Sequence, residues 1–477
     1  MKKVLLGLAA MAMMGMMMTS CQKDEGLSKD TFTATTENGN SKTHLDGLNL
    51  KWDDEGESIM VMGSNYQRAE YFAISVTNDN TCATFACQEG EEVDADAYQI
   101  YYPASMVTAN GTIELPAEQE YAENNVKGFP MYAETQGHAF QFTNLCGLFR
   151  LQLQKDDVVV RSITITTDKG VNGAFAVSTS AEGAFQFEAY TANDDAQKTV
   201  TLDCGNGVSI DELTDFNIYL PAGEYSTFDI TITATDGSYC EKSLNGNAIT
   251  INRNERVTLT REGEALTFIP KDVINGLFSI APGTQVYFSK GNLDNNGSYF
   301  FVENQYNFGG TFRWNPVAGT LDILDDWGNY VDGNWRTLSY NECYYLMTTR
   351  SDASSKKGWG TVNGVHGLIL LPDAFTIPAG LNFNSNHYWT SNQYTAAEWA
   401  QMEAAGAVFL PAAGGRDEGY NESDKGYYWL SDVSTTNSGN VHFLEFMSSS
   451  TNYMSWPYHS RYTSKMSVRL VQEYHGN

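Results

Sequence analysis

Short runs in which apolar and polar residues alternate recur through the first 262 residues of the chain. Such runs lie at residues 147–154, 228–233, 248–251 and 256–260. In the first run Leu148, Leu151 and Leu153 stand among polar neighbours, a period of two that is typical of half-buried β-strands. Asp236-Gly237 predicts a tight hairpin turn after the second run. Since no convincing helix pattern or cap precedes residue 262, we expect antiparallel β-sandwiches, and the length suggests two in tandem.

Composition sets limits on the class of protein. The chain has 477 residues, of which 42% are hydrophobic and 13% aromatic, so it can bury several cores. Its 29 Lys and Arg against 58 Asp and Glu give a formal charge of −29. This charge repels phosphate backbones and anionic lipid headgroups. We therefore expect no nucleic-acid partner and no attachment to membranes through basic patches.

The N-terminus has the pattern of a secretory targeting segment. Lys2 and Lys3 precede an apolar run over residues 4–18, which fits a signal peptide and barely reaches the length of a membrane span. We assign residues 1–20 as a lipoprotein signal peptide.

The segment ends at Met18-Thr19-Ser20-Cys21, which resembles a bacterial lipobox. The resemblance implies that Cys21 carries palmitate and that residues 21–29 form a lipidated linker, because acyl chains anchor a soluble body without a spanning helix. An ordinary secretory signal with a coincidental thiol is the alternative. Residues 22–25, Gln-Lys-Asp-Glu, resemble a signal that exports lipoproteins to the cell surface. We therefore expect a lipid-anchored, surface-exposed protein of the outer membrane.

The other six cysteines show no dense disulfide framework. Cys82 with Cys87 and Cys204 with Cys240 are conceivable pairs, and buried free thiols are the interpretation that we favour. No Cys-x-x-Cys occurs and the seven histidines are scattered, so the zinc pattern is absent. We expect no metal and no cofactor.

Four segments carry a resemblance to a known family: residues 42–47 (Lys-Thr-His-Leu-Asp-Gly), 50–59 around Trp52, 142–148 and 163–167. Together they resemble the fimbrillin family of surface-pilus and adhesin lipoproteins. The resemblance implies one β-sandwich at residues 30–145 and a second at 146–262, with Trp52 closing a sandwich end and Ile59 in the core.

The same resemblance implies a partner. Pilus subunits of the family lose their N-terminal strand, and the strand of a neighbouring pilin then fills the groove by β-augmentation. In processed members the cleavage usually follows an Arg. Between Cys21 and Leu50 this chain has Lys29 and Lys42 but no Arg, which departs from that pattern.

From about residue 270 the pattern changes to helices with caps. Ser339 and Glu342 form a capping box before a helix that ends near Arg350, and Thr395 and Glu398 form a second box. The second helix buries Trp399 and Met402 and stops at Gly406. Predicted strands surround them at residues 286–288, 367–371, 407–410, 427–430, 442–446 and 467–471.

A strand, two helices and further strands, with the last strand returning beside the first, resemble a C-type-lectin-like module. The module is similar to the fold of formylglycine-generating enzymes and of the Fibrobacter major paralogous domain. We expect it at residues 275–477, after a linker at 263–274. The predicted fold class is thus mainly β, with two fimbrillin-like sandwiches followed by an α+β domain.

The predicted domain has no convincing catalytic set. The formylglycine-generating relatives need paired cysteines, and here Cys343 stands alone. Ser431, His442 and Asp373 could form a hydrolase triad, but no Gly-x-Ser-x-Gly surrounds Ser431. We predict no catalytic residue and no enzyme activity.

Oxygen-bearing residues that could bind calcium cluster at Asp322, Asp325, Asp326, Asn329, Asp332 and Asn334. Their spacing does not match an EF-hand, and we favour an ordinary acidic loop.

The candidate ligand site is an aromatic loop. Tyr453, Trp456 and Tyr458 could stack on sugars or on a protein partner, and Arg461 could add a bidentate contact. Packing beneath loops is the alternative interpretation. Four other tryptophans are expected in the core: Trp327, Trp335, Trp389 and Trp429.

These features together predict a surface-anchored adhesin, the tip or an accessory subunit of a fimbrillin-type pilus, that binds a host or bacterial ligand through its C-terminal domain. The ligand is a glycan or a protein. The alternative function is a carbohydrate-capture lipoprotein of a glycan-uptake system.

Overall fold

The computed structural model divides the chain into two compact units, Met1–Phe268 (unit 1) and Ile269–Asn477 (unit 2). The boundary falls within residues 263–274. The structure describes residues 31–37, 52, 57–77, 82–88, 92–123, 126–179, 185–189, 196–244, 246, 248–314, 326–415, 425–433, 440–449, 459–460 and 464–474.

Unit 1 is built from β-strands, and the helical segments of its described part are single 3₁₀ turns at Ala104–Met106, Ala196–Lys198 and Gly263–Ala265. The strands are β1 (Thr31–Thr35), β2 (Ser58–Gly63), β3 (Arg68–Thr77), β4 (Cys82–Cys87), β5 (Tyr98–Tyr102), β6 (Ile113–Leu115), β7 (Glu118–Glu120), β8 (Met131–Thr135), β9 (Ala139–Gln141), β10 (Thr143–Asn144), β11 (Cys146–Gln154), β12 (Val159–Thr167), β13 (Gly173–Thr179), β14 (Phe185–Ala189), β15 (Thr199–Ser209), β16 (Thr214–Pro221), β17 (Gly223–Tyr225), β18 (Phe228–Ala234), β19 (Tyr239–Ser243), β20 (Ile249–Ile251) and β21 (Arg256–Glu262).

The strands of unit 1 enclose two apolar cores. The first core draws chiefly on an eight-stranded sheet in the order β10-β8-β5-β2-β3-β4-β1-β9. The second lies between the sheets β16-β11-β21 and β19-β18-β12-β15-β7, which form a sandwich. Most pairs are antiparallel, while β1–β9, β7–β15 and β11–β21 are parallel. The mainly-β prediction is confirmed.

Strand pairing in unit 1 crosses residue 145. Strands β6 and β7 pair with β13 and β15 from the later part of the sequence. The first core likewise includes Leu148, Phe175 and Tyr219 from that part. The two halves of unit 1 are therefore joined by hydrogen bonds and by shared apolar contacts.

The predicted strands of unit 1 are found where the alternation placed them. Along β18 buried and half-buried residues alternate without interruption, and Asp236-Gly237 forms the turn to β19, with Gly237 at φ 85°. Trp52 is 2% exposed and packs edge-on against the rings of Phe85 and Tyr102, and Ile59 is fully buried. Both core predictions are confirmed.

Unit 2 combines short strands with two helices that occupy the predicted places. Its strands are β22 (Phe278–Ala281), β23 (Thr284–Phe288), β24 (Leu293–Asn295), β25 (Tyr299–Phe301), β26 (Trp335–Arg336), β27 (Lys357–Val362), β28 (Val365–Leu370), β29 (Gln393–Tyr394), β30 (Val408–Pro411), β31 (Lys425–Val433), β32 (Asn440–Met447), β33 (His459–Ser460) and β34 (Val471–Glu473). The helices are α1 (Tyr340–Tyr344), which continues as a π-helical turn at Tyr345–Thr349, and α2 (Ala396–Ala404); a 3₁₀ turn lies at Trp327–Tyr330.

Both capping boxes are present. Ser339 and Glu342 bond reciprocally at the start of α1, and Thr395 and Glu398 do so at the start of α2. Helix α2 stops at Gly406, whose φ of 93° suits a residue without a side chain. These local signals predicted the helix starts because each needs only residues three positions apart.

The last described strand of unit 2 returns beside an early one. Strand β34 pairs antiparallel with β23, in the four-stranded sheet β22-β23-β34-β26, which confirms that prediction of the strand order. The predicted strand at residues 467–471 is wrong in its bounds. Ser467 forms only an isolated bridge to Tyr428, and the strand begins at Val471.

Candidate functional site

The residues predicted to carry the function, Cys21, Tyr453, Trp456, Tyr458 and Arg461, lie outside the described residues. The candidate site is therefore built from described residues of unit 2.

An aromatic surface lies where β32 ends. The backbone N–H of Ser449, two residues beyond β32, donates to the carbonyl of His387 at 2.6 Å. Residues 387–389 supply three consecutive rings here, and a fourth ring, that of His366, stacks on Trp389; we name these four rings the aromatic rim: His366, His387, Tyr388 and Trp389.

The rings of the rim combine contact with exposure. His366 and Trp389 stack with centroids 5.2 Å apart and planes 9° apart. Trp389 also meets the edge of Phe446 in the core, at 6.4 Å. Tyr388, between the two inward-packing neighbours, is 55% exposed. Trp389, predicted to be core, is half-buried, so the rim offers ring faces and a phenol hydroxyl to solvent.

The loop that carries the rim is clamped by one buried amide. Asn392 is 3% exposed, and its side chain accepts from the N–H of Asn384 and donates to the carbonyls of Trp359 and Asn384. These three bonds, of 2.7–2.8 Å, fix the loop to β27. A buried amide with its partners satisfied makes a local structure rigid. The rim is therefore presented by a fixed backbone.

Two glycines of β27 make room for this loop. A Cβ at Gly358 would clash with the carbonyl oxygen of Asn384, and one at Gly360 would lie 2.7 Å from that of Asn392. The sequence did not predict β27, because glycine normally weakens a strand. Here the glycines permit a close backbone approach.

Charge at the rim is small. Burial lowers the pKa of His387, and the nearby ammonium of Lys357 lowers it further. The ring is therefore neutral at pH 7, and its edge packs against Trp359 at 4.5 Å. A neutral aromatic surface suits an uncharged ligand or the apolar part of a partner.

The structure does not assemble the hydrolase triad considered above. Both oxygens of Asp373 are engaged elsewhere: Oδ2 accepts from Ser279 and Gln285, and Oδ1 accepts from Arg350 at 3.1 Å. Among the described residues no hydrogen bond joins Ser431 to His442. Burial raises the pKa of Cys343 to about 12, so this thiol is a poor nucleophile.

The acidic segment acts structurally in its described part. Asp326 accepts from the N–H of Gly328 as the cap of the 3₁₀ turn, and from the N–H and hydroxyl of Thr337. Asp322 and Asp325 lie outside the described residues. In the described ranges, no group of three or more His, Cys, Asp or Glu side chains is arranged to hold a metal ion.

None of the six cysteines in the described residues is assigned to a disulfide, so neither conceivable pair, Cys82–Cys87 or Cys204–Cys240, is bonded. The favoured interpretation is confirmed for five of them, which are buried, whereas Cys87 is half-buried. Within the described part of the chain, no helix has both the length and the apolar character needed to span a bilayer.

Comparisons with known proteins give only distant likenesses. No protein-family model matches the chain, and no curated protein matches it. A candidate cell adhesion protein of Bacteroides ovatus aligns at 10% identity over 52% of this chain and 96% of its own, with a TM-score of 0.35. The C-terminally truncated tip fimbrial protein Mfa3 of Porphyromonas gingivalis aligns at 12% identity over 50% and 95%, with a TM-score of 0.26. A fimbrial protein of Bacteroides ovatus aligns at 10% identity over 94% and 99%, with a TM-score of 0.22. At these values the likenesses establish neither a shared fold nor a shared function.

Sequence reasoning missed three rim residues, His366, His387 and Tyr388. A usable signal was present, since Asn384, Asn386 and Asn392 surround the rim residues at 387–389. Asparagines at this density are typical of loops whose side chains bond their own backbone.

Proposed function

We propose that this protein is a surface-anchored adhesin that holds its ligand through unit 2. The observation that carries the proposal is the aromatic rim, where Tyr388 is 55% exposed on a loop clamped by Asn392. Ordering a loop on binding costs free energy, so a loop that is already fixed favours affinity. The proposed role is non-catalytic, in keeping with the engagement of Asp373 by Ser279, Gln285 and Arg350.

Adherence of bacteria that express the chain to host cells or to other bacteria tests this proposal. We expect Tyr388→Ala to reduce adherence by most of the difference between the wild type and a deletion strain. The matched control is Tyr66→Ala, which removes a tyrosine that is 94% exposed in unit 1. Equal adherence of the wild type and the deletion strain would refute the adhesin role.

The proposed anchor is a lipid on Cys21, which would place the protein at the outer membrane. Incorporation of labelled palmitate, and its loss in Cys21→Ser, tests the anchor. A mature chain recovered free in the periplasm without lipid would contradict it.

We propose further that the protein is the tip or an accessory subunit of a pilus. Supporting this, β1 lies between β4 and β9 and buries Phe32 and Ala34 in the first core. Removal of β1 would open a groove for the strand of another pilin, while the intact chain fills that groove itself. The tip version therefore requires that β1, together with Cys21 and its lipid, is lost after export, whereas the accessory version keeps both.

Mass spectrometry of the mature N-terminus distinguishes the two versions. A chain that begins beyond Thr35 supports the tip role, and a chain that begins at an acylated Cys21 supports the accessory role. Detection at internal positions of pilus fibres would contradict the tip version.

Carbohydrate capture for a glycan-uptake system is the second candidate function. The rings of the rim favour it, because polar-tipped aromatic side chains stack on sugar faces while their heteroatoms form hydrogen bonds. Binding to a glycan array that is lost in Tyr388→Ala or Trp456→Ala, combined with unchanged adherence, would favour capture over adhesion.

A further inference from the structure

A second row of rings lies on unit 2, at the other end of β32. Tyr344 and Tyr340 stack with centroids 6.1 Å apart and planes 23° apart, and Tyr340 packs on His442 at 4.4 Å. Tyr344 is 47% exposed, while Tyr340 and His442 are half-buried. We name Tyr344, Tyr340 and His442 the aromatic ladder.

The ladder is separate from the rim. His442 and Phe446 lie four residues apart on the same face of β32, which corresponds to about 13 Å. The ladder meets β32 at His442, and the rim meets it at Phe446 through Trp389. A ligand on one surface can therefore be distinguished from a ligand on the other by mutation.

Two departures from regular backbone lie next to the ladder. The pairing of β31 with β32 shifts between Trp429 and Val433, so a bulge in β31 lies opposite His442. The turn that follows Tyr344 is π-helical. Bulges and π-turns recur beside functional sites because they redirect side chains at a cost in regular hydrogen bonding.

The bulge brings a carboxylate to the ladder. Asp432 Oδ2 accepts a hydrogen bond from the backbone N–H of Tyr340. Oδ1 of the same carboxylate accepts none from the described residues. The carboxylate is thus held by one oxygen at the edge of the rings, with the other available to accept from a ligand hydroxyl.

His442 has one buried polar atom without a hydrogen-bond partner. Its Nδ1 is enclosed and has no hydrogen-bond partner, which is unusual for a buried polar atom. Burial lowers the pKa of His442, and Asp432 opposes this only in part, so the ring is neutral at pH 7. A neutral ring flanked by a carboxylate favours an uncharged ligand rich in hydroxyl groups.

Size and charge decide between classes of ligand. A stable protein partner buries about 800 Å² on each side, whereas the ladder is a narrow row with one well-exposed ring. An anionic polymer would be repelled by the carboxylate of Asp432 and by the net charge of −29 on the chain. A chain of neutral sugar rings fits the row, because pyranose faces stack on tyrosines while hydroxyls bond to the carboxylate.

We propose that the aromatic ladder, together with Asp432, is a binding site for neutral sugar rings of a glycan chain, separate from the rim. Tyr344 supplies the main stacking face, and Asp432 accepts from sugar hydroxyls. The site does not depend on the ligand of the rim, so it stands whether the protein adheres or captures.

An array of neutral hexose and N-acetylhexosamine oligosaccharides, probed with the full mature chain, tests the site. We expect Tyr344→Ala to weaken binding roughly tenfold or more, since it removes the stacking face. Tyr344→Phe keeps the ring and should retain most of the binding, and Asp432→Asn should weaken it. Tryptophan fluorescence during thermal unfolding verifies that each variant is folded.

Tyr66→Ala is the matched control, because it removes an exposed tyrosine that belongs to neither the ladder nor the rim. The ladder proposal is overturned if the wild type binds no neutral oligosaccharide, or if Tyr344→Ala binds as the wild type does. Loss of binding in Tyr388→Ala alone would also overturn it and would place the sugar on the rim. Loss of adherence in Tyr388→Ala with sugar binding unchanged supports both proposals, since it separates the two surfaces.

Discussion

Unit 1 and unit 2 treat buried polar groups differently. The buried polar side chains described in unit 1 are neutral, such as Gln119 and Asn144. The described residues of unit 2 include three buried cations, Arg350 at 3% exposure and Lys357 and Arg469 at 5% each. The difference follows from the regular backbone of unit 1, because its strands satisfy their backbone N–H and C=O groups through sheet hydrogen bonds.

The irregular backbone of unit 2 leaves carbonyls that side chains must satisfy. Arg350 donates to the carbonyls of Leu346 and Leu371, and Lys357 donates to those of Met347 and Ala353. Cations near a helix C-terminus also interact favourably with its dipole. In the loop-rich unit a few buried charges thus satisfy backbone carbonyls that sheet hydrogen bonds satisfy in the regular sandwich.

The sharpest test of this comparison is Arg350→Ala. It removes the buried partner of Asp373 and the donor to two carbonyls, so we expect a loss of about 4 kcal/mol in the stability of unit 2. Tryptophan fluorescence during urea unfolding measures it, since eight of the nine tryptophans lie in unit 2. The control is Arg150→Ala, which breaks a half-exposed ion pair with Asp215 in unit 1 and should cost less than about 1 kcal/mol. Equal costs would refute the distinction.

In unit 1 the largest effects should come from apolar truncation. Phe32 of β1 stacks on His138 at 4.7 Å and meets Tyr71 and Tyr98 edge-on at 5.1 Å each. We expect Phe32→Ala to cost about 3 kcal/mol through lost burial and a cavity. Hydrogen exchange of the amides in β1 and β4 measures it. Ile74→Ala, at a site that is 54% exposed on β3, should change little.

Loss of the Asn392 side chain should affect stability locally, in the loop of the rim. Asn392→Ala leaves two carbonyls and one N–H without their partner, at a cost of about 2 kcal/mol. Hydrogen exchange over residues 384–392 should quicken, and the binding that depends on Tyr388 should weaken. Asn386→Ala, at an exposed position in the same loop, is the control and should leave exchange unchanged. Unchanged exchange in Asn392→Ala would mean that the rim is fixed by other contacts.

The smallest effect that we predict is one of pH. Burial would raise the pKa of Asp373, but hydrogen bonds from Ser279 and Gln285 and the charge of Arg350 hold it below its usual value. The stability that Asp373 contributes is fully present above the pKa of its carboxyl in the unfolded chain, about 4. This stability is lost as the pH falls through the lower pKa of the folded state. The urea midpoint of unit 2 should therefore fall below pH 4, and by less in Asp373→Asn. An identical fall in that variant would assign the acid sensitivity to other groups.

The sequence predicted those parts of the fold that depend on near neighbours. Both capping boxes, beginning at Ser339 and Thr395, and the alternating strand β18 could be predicted because each pattern closes within a few residues. Strand β27 was not predicted because Gly358 and Gly360 weaken its strand pattern. The loop whose backbone needs these glycines lies more than twenty residues later in the chain. The ladder could not be predicted from the sequence for the same reason, since contacts such as Tyr340 with His442 join distant parts of the chain, whereas the loop of the rim has a local signal in its asparagines.

The pairing of β34 with β23 sets when unit 2 can be completed. A chain made from its N-terminus presents β23 long before residues 471–473 exist, and until then one edge of that strand has no permanent neighbour. Unit 2 can therefore complete this sheet only after β34 has been made. A product that ends before β34 would have an open sheet edge, which is prone to aggregation and degradation.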